Sequence, residues 1–163
     1  MHILIKNKKI FFKHYKVKCA FGKRGIGTKK KEGDQITPRG KFKICYILCR
    51  KDRVFNLKSG VSIINIEKNM GWCDDPKSIK YNKLIKFPFK YSAEKLYRSD
   101  NIYDIIIVLD FNFKPVRKNK GSAIFIHIAK KKYNKTEGCI ATSKINLKKI
   151  VKIINKGTIV AIN

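Results

Sequence analysis

The chain has 163 residues, with 39 Lys and Arg against 11 Asp and Glu, a formal net charge of +28 at pH 7. That length suits one domain, and a hydrophobic fraction of 44% is too high for a disordered polyelectrolyte. No run of 18 apolar residues occurs, so no membrane-spanning helix is expected.

So basic a chain suits an anionic partner: nucleic acid, an anionic membrane or an acidic polymer such as a cell wall. The excess is nearly all lysine, with arginine only at 24, 39, 50, 53, 98 and 117, and it is spread along the whole chain. Abundant Ile and Asn with scarce Ala offer codon bias from an AT-rich genome as the other origin of the lysines. Few arginines and no clustered aromatic–basic motif speak against specific nucleic-acid recognition.

Met1 to Lys9 lacks the apolar segment of a secretory signal and reads as the first strand. Cytoplasmic residence and export by another route both stay open. Ile3-Leu4-Ile5 and Ile10-Phe11-Phe12 flank a polar turn, and Tyr15 to Cys19 alternates at period two, predicting a hairpin and a third strand. Gly22-Lys23-Arg24-Gly25-Ile26-Gly27 has no following Gly-Lys-Ser/Thr and no amphipathic helix, so a glycine-rich surface loop is expected, not a phosphate loop. Thr37-Pro38-Arg39-Gly40 reads as a turn and Lys41–Leu48 as a strand. Val61–Ile66 reads as another strand. Gly71 to Pro76 is expected to be a loop, and 77–100 irregular with a turn of helix at Ala93–Tyr97.

Tyr103–Leu109 is an almost continuous apolar run, the pattern of a strand buried on both faces. Ala123–Ala129 divides by face: Ile124, Ile126 and Ile128 on one side, Ala123, Phe125, His127 and Ala129 on the other. A helix over about 143–156 has Ser143 as its cap, Leu147, Ile150, Val151 and Ile154 as its apolar stripe, and Gly157 to end it. Thr158–Ile162 returns to the sheet. The fold expected is mainly β with one C-terminal helix.

The five cysteines, 19, 45, 49, 73 and 139, form no CxxC and no zinc-like set with histidine, so no metal or other cofactor is expected. Cys45 and Cys49 on one strand would lie about 13 Å apart, beyond the ~7 Å reach of a disulfide. His127 and Cys139 suggest more. A thiol needs a base to become a nucleophile, and an imidazole within reach supplies it. Gly138 lets the backbone turn sharply and aim amide N–H groups at an oxyanion. Spacing alone favours the plainer alternative, a packed histidine and a buried thiol. In Trp72-Cys73-Asp74-Asp75 the carboxylates could hold a diamino-acid ammonium against the indole, or the segment could be a turn around a packed tryptophan. Two Asp and a Cys make a poor metal set.

The segment from Gly121 to Ala141 resembles the L,D-transpeptidase catalytic domain (the YkuD-like family), whose signature is a histidine, a loop and then Ser/Thr-His-Gly-Cys. The matching positions are His127, Thr136, Glu137, Gly138 and Cys139. Lys31-Glu32-Gly33-Asp34 with Thr37-Pro38-Arg39-Gly40, Gly71 to Asp75, Tyr81-Asn82, Tyr103-Asp104 and Gly121 to Phe125 look like recurring blocks of a short branch. The likeness thus covers nearly the whole chain, as one catalytic domain over 1–163.

The resemblance implies a β-sandwich-like fold and a bacterial peptidoglycan acyltransferase in the periplasm or cell wall; a monomer is expected. Cys139 would attack the carbonyl between the third and fourth residues of a stem peptide, and an amine would resolve the thioester. His127 would be base and then acid, and the amides of Gly138 and Cys139 oxyanion donors. Thr136, Glu137, Trp72, Asp74, Asp75, Tyr81 and Asn82 are the candidate substrate contacts. Two departures stand out: Glu137 replaces the usual histidine, and Ala141 a usual polar residue. Water as acceptor would make a peptidase of the same site. A basic domain that binds nucleic acid or another anionic polymer without catalysis is the remaining alternative.

Overall fold

The structure is a computed structural model describing residues 2–163. β1 (His2–Lys6) and β2 (Lys9–Phe12) form the expected hairpin, and β3 (Tyr15–Lys18) extends it. Asn7 and Lys8 both adopt positive φ, at 50° and 56°, the geometry a two-residue turn needs to follow the strand twist. Short β4 (Ile26–Gly27) pairs in parallel with β5 (Thr37–Pro38).

The ten-residue β6 (Gly40–Cys49) is the hinge of the architecture. Its first part pairs with β14 (Ile159–Ile162), from Gly40↔Ile162 to Lys43↔Ile159; its second pairs with β11 (Ile105–Leu109), from Ile44↔Leu109 to Cys49↔Ile105. With β12 (Phe125–Ile128) and β13 (Ile140–Thr142), the large sheet runs β13-β12-β11-β6-β14-β1-β2-β3, and β7 (Ile63–Asn65) pairs with β6. The two ends of the sheet share one core. Ile3, Ile5, Ile10 and Phe12 from one end meet Ile105, Ile107, Ile126 and Ile128 from the other.

The single helix α1 (Lys144–Ile153) adds Leu147, Ile150 and Val151 to that core. Ser143 caps it, its hydroxyl accepting from the Asn146 N–H at 3.2 Å. The helix stops before Gly157. Ile154 turns extended while keeping its side chain buried, and Gly157 instead sits in a turn where its N–H donates to Asn155 Oδ1.

Two other expectations are corrected. Met70–Cys73 is a strand, β8, and Ala93–Lys95 is a strand, β10, not a turn of helix; with β9 (Leu84–Lys86) they form a small sheet ordered β10-β8-β9. Pairing with Gly71–Cys73 overrides the helical preference of Ala-Glu-Lys. Trp72, Met70 and Leu96 from this region pack with Phe125, Tyr103 and Val108 as a second core on the outer face of β11 and β12. All five cysteines are free. No helix among the described residues is long and apolar enough to cross a membrane.

Candidate active site

β12 and β13 run parallel, with Ile126 opposite Ile140 and His127 opposite Ala141. That register sends Ile124, Ile126, Ile128 and Ile140 inward to the main core. Phe125, His127, Cys139 and Ala141 stand on the other face by the two-residue alternation. Cys139 precedes β13 by one residue, so its side chain and that of His127 are diagonal neighbours on this outer face. Both line one cavity of about 710 Å³.

The His127 ring is fixed on two sides. Its Nδ1 lies 2.9 Å from the Ile128 carbonyl oxygen, which can only accept; Nδ1 therefore carries the proton and Nε2 is the free acceptor. Tyr103 packs edge-on at 5.4 Å between centroids. Burial lowers the imidazole pKa from 6.5 to about 4, with the Ile128 hydrogen bond opposing the shift. The Cys139 thiol donates to the Ala123 carbonyl at 3.0 Å. Burial raises its pKa to about 12; the Phe125 amide opposes this, Glu94 adds to it, and Lys29 opposes it. Both groups are neutral at pH 7.

The turn that carries Cys139 is held from both ends. Thr136 Oγ1 donates to the Cys139 carbonyl at 2.5 Å and accepts from the Gly138 N–H at 3.2 Å. Thr37 Oγ1 donates to the Gly138 carbonyl at 2.7 Å, and the Gly22 N–H donates to Thr37 Oγ1 at 2.8 Å. Gly138 sits at φ +147°, and a Cβ there would lie 3.1 Å from the Ile36 carbonyl oxygen; glycine is needed on both counts. The Gly138 amide, expected to donate to an oxyanion, is thus already engaged by Thr136.

The glycine-rich stretch before Lys29 is no free surface loop. Lys23 N–H donates to the Thr136 carbonyl at 2.9 Å and Thr136 N–H to the Phe21 carbonyl at 3.1 Å, so this stretch backs the cysteine turn. Beside it Lys29 and Asp34 form an ion pair at 2.6 Å with both side chains 3% exposed. Burial pushes the Asp34 carboxyl up, but the Lys29 ammonium and the amides of Lys30, Ile36 and Lys31 hold it down at about 2. Gly121 makes room for this lysine, since a Cβ there would lie 2.3 Å from Lys29 Cε.

Of the sequence-derived contacts, Thr136, Glu137 and Asp74 line the cavity with His127, Gly138 and Cys139. Glu137 points to the rim, 67% exposed, bonded to Lys23 and to Gln35 Nε2 at 2.9 Å, and it orients no imidazole. The carboxylate that pushes the thiol upward is Glu94. Trp72 and Asn82 lie behind the site: the indole N–H donates to Asn82 Oδ1 at 3.0 Å, and Asn82 also holds the Ala123 N–H at 3.0 Å. Tyr81 accepts from the Gly121 N–H at 3.0 Å and donates to Glu32. Asp75 closes a turn by accepting from the Lys77 N–H at 2.9 Å. These four shape the walls from outside the cavity.

Lys29, Glu94 and Tyr103 were not among the sequence candidates for the site. Glu94 lies 45 positions from Cys139 in the chain, and Lys29 is one lysine among many. The signal nearest to them was the likeness of Lys31-Glu32-Gly33-Asp34 and Tyr103-Asp104 to family blocks, which carries no geometry by itself.

The family model of the L,D-transpeptidase catalytic domain matches residues 1–162. No curated protein matches the chain. The match spans all but one residue, and the chain belongs to the L,D-transpeptidase catalytic domain family.

Proposed function

We propose that this member of the L,D-transpeptidase family is a single catalytic domain that transfers a peptidyl acyl group from a peptidoglycan stem peptide through a Cys139 thioester. The observation that carries the proposal is that Cys139 and His127 are diagonal neighbours by strand register and line one cavity. A base with a free Nε2 and a thiol on the same face is the arrangement general-base activation requires.

The resting pair is neutral, so proton transfer accompanies attack. The thiol leaves the Ala123 carbonyl, passes its proton to His127 Nε2, and its sulfur bonds the scissile carbonyl carbon. The oxyanion that forms is met by the Cys139 N–H. Its neighbour at Gly138 is held by Thr136 and serves to fix the turn. Collapse breaks the C–N bond, and the proton on His127 goes to the departing amine. An acceptor amine then attacks the thioester carbonyl and gives a proton to His127, which passes it to the departing sulfur as the C–S bond breaks, restoring the neutral pair. Water in place of the amine makes the same chemistry a peptidase.

Lys29, buried under the Gly138 turn, is the positive charge that favours the thiolate-like transition state. The family places such activity at the cell wall, and a surface of net charge +28 suits contact with anionic wall polymers.

The test is intact-mass analysis of the protein incubated with a carbapenem, an acyl donor for cysteine enzymes. The wild type is expected to gain one adduct and Cys139→Ala none. Equal labelling of both proteins, or none of the wild type, removes the thioester from the account.

A further inference from the structure

The lysines are spread along the chain, but the acids are not. All 11 Asp and Glu fall within residues 32–137, whereas 1–31 and 138–163 carry 16 Lys and Arg and no acidic side chain. The fold joins these two ends, because β14 runs parallel to β1, with His2 opposite Ile159 and Ile5 opposite Ile162. The half of the large sheet made by β1, β2, β3 and β14 is thus built entirely from the segments that lack acids.

Strand register decides what this half turns outward. Ile3, Ile5, Ile10, Phe12, Val160 and Ile162 enter the main core, so the alternate positions form the opposite face. There Lys6 stands opposite Lys9, and Lys9 opposite Lys18, a row of three like charges across three strands. In the next row Ala161, Leu4, Phe11 and Lys16 are neighbours, and Lys41 and Lys43 extend the face onto β6. All six lysines are exposed, and Leu4, Phe11 and Ala161 lie half-buried between them. The ammoniums of Lys6 and Lys16 flank the Phe11 ring at 5.9 and 5.8 Å from its centroid. Among the described residues none of the six has a carboxylate within 4.0 Å. Asp110 reaches the border at β6, where its carboxylate accepts from the Lys43 N–H at 2.8 Å. The small sheet covers the outer face of β11 and β12, whereas this face is left open to solvent.

Like charges directly opposite one another destabilise a strand pair. Protection of a sheet edge explains lysines on β3, but not Lys6 and Lys9 on the strands inside it. An anionic surface laid across the row removes the repulsion. Three features select the kind of surface. The face has no groove to hold a threaded polymer: the cavities beside Cys139, between Ser78 and Lys118, and around Cys49 and Ile63 all lie elsewhere. Its cations are lysines, point charges that meet phosphate without fixed bidentate geometry. Its apolar side chains are half-buried, while the highly exposed Phe55, Ile79 and Ile145 belong to other segments, so it suits contact with headgroups and not insertion. We propose that the outer face of β6, β14, β1, β2 and β3 docks the protein on a bilayer of anionic phospholipids, through attraction between its lysines and the headgroup phosphates. The two halves of the large sheet share one core, so their outer faces turn apart, and docking leaves the Cys139 cavity open. This interaction does not depend on the acyltransferase reading.

The experiment is co-sedimentation of the full chain with vesicles of phosphatidylcholine alone or with about 30 mol% phosphatidylglycerol, at about 0.05 and 0.5 M salt. The wild type is expected to bind only the anionic vesicles and to be released at high salt. A triple variant of the charged row, Lys6→Gln, Lys9→Gln and Lys18→Gln, is expected to bind at least tenfold more weakly. A second triple, Lys83→Gln, Lys114→Gln and Lys118→Gln, removes the same charge from the rim of the second cavity and is expected to bind nearly as the wild type does. The first triple also relieves the repulsion in its row, so its denaturation midpoint is expected to be no lower than that of the wild type, and its loss of binding does not report unfolding. Binding to neutral vesicles as tight as to anionic ones overturns the proposal, and so does an equal loss in the two triples, which would make net charge the whole effect. Tighter binding to duplex DNA or inorganic polyphosphate at the same phosphate concentration, lost in the first triple, also overturns it and assigns the face to a linear polyanion. Cys139→Ala is expected to dock as the wild type does, so a negative carbapenem experiment and a negative vesicle experiment are distinct failures.

Discussion

The two faces of β12 are built to opposite rules. Inward, Ile124, Ile126 and Ile128 are at most 3% exposed and contribute no polar side-chain atom. Outward, the same few residues hold a histidine with a free ring nitrogen and adjoin a thiol and an unpartnered serine hydroxyl. The inner face keeps the strand pair in register. The outer face uses that register to set His127 against Cys139. A two-residue side-chain period lets one short strand do both, provided a one-residue slip never occurs.

The largest effect that separates the faces is expected at His127. His127→Ala should slow acylation of Cys139 by about 10²–10⁴-fold, the usual contribution of a positioned base, while the chemical denaturation midpoint moves little. An unchanged acylation rate would break the distinction between the faces. Next is the charge beneath the turn. Lys29→Met leaves Asp34 buried and unpaired, a loss of about 3–5 kcal/mol in unfolding free energy, and acylation should slow as well. Should stability fall while the rate holds, Lys29 is structural alone. Ile126→Ala should cost about 2–5 kcal/mol as a core cavity, with the acylation rate of the remaining folded protein near that of the wild type.

The smallest effect is in the pH dependence of stability. His127 binds its proton less readily folded than unfolded, so its contribution favours the folded state above pH 6.5. That contribution is lost as pH falls from 6.5 towards 4. Cys139 works in the opposite sense: its folded pKa is raised, so stability is lost as pH rises from 9 towards 12. Denaturant unfolding at pH 4.5, 7 and 10 should place the maximum in the middle. His127→Ala should flatten the acid limb and leave the alkaline one.

How much of this was legible in the sequence follows the range of the interactions. β1–β3, β6, β11, β12 and α1 announce themselves by local period, because each buries a regular face. The small β8–β10 sheet does not. Its strands are three or four residues long, and Ala93-Glu94-Lys95 has helical propensity that only pairing to β8 overturns. The site divides the same way. His127, Gly138 and Cys139 stand close in sequence and share one motif. Glu94 reaches the thiol from a distant strand and Lys29 from the opposite end of the chain, and no local pattern records either approach. Trp72 and Asn82, which looked like substrate contacts, form a hydrogen-bonded wall instead, because an indole N–H and a side-chain amide satisfy each other when buried.

The account stands or falls on His127 accepting the proton of a neutral Cys139 thiol. The most direct measurement is the rate of Cys139 acylation by a carbapenem as a function of pH, in the wild type and in His127→Ala. The wild-type rate is expected to rise through a group titrating near 4 and then stay flat from about pH 5 to 9, while the variant is slow and climbs steadily with hydroxide. A wild-type rate that grows about tenfold per pH unit through neutrality, with the same slope in the variant, would contradict the account.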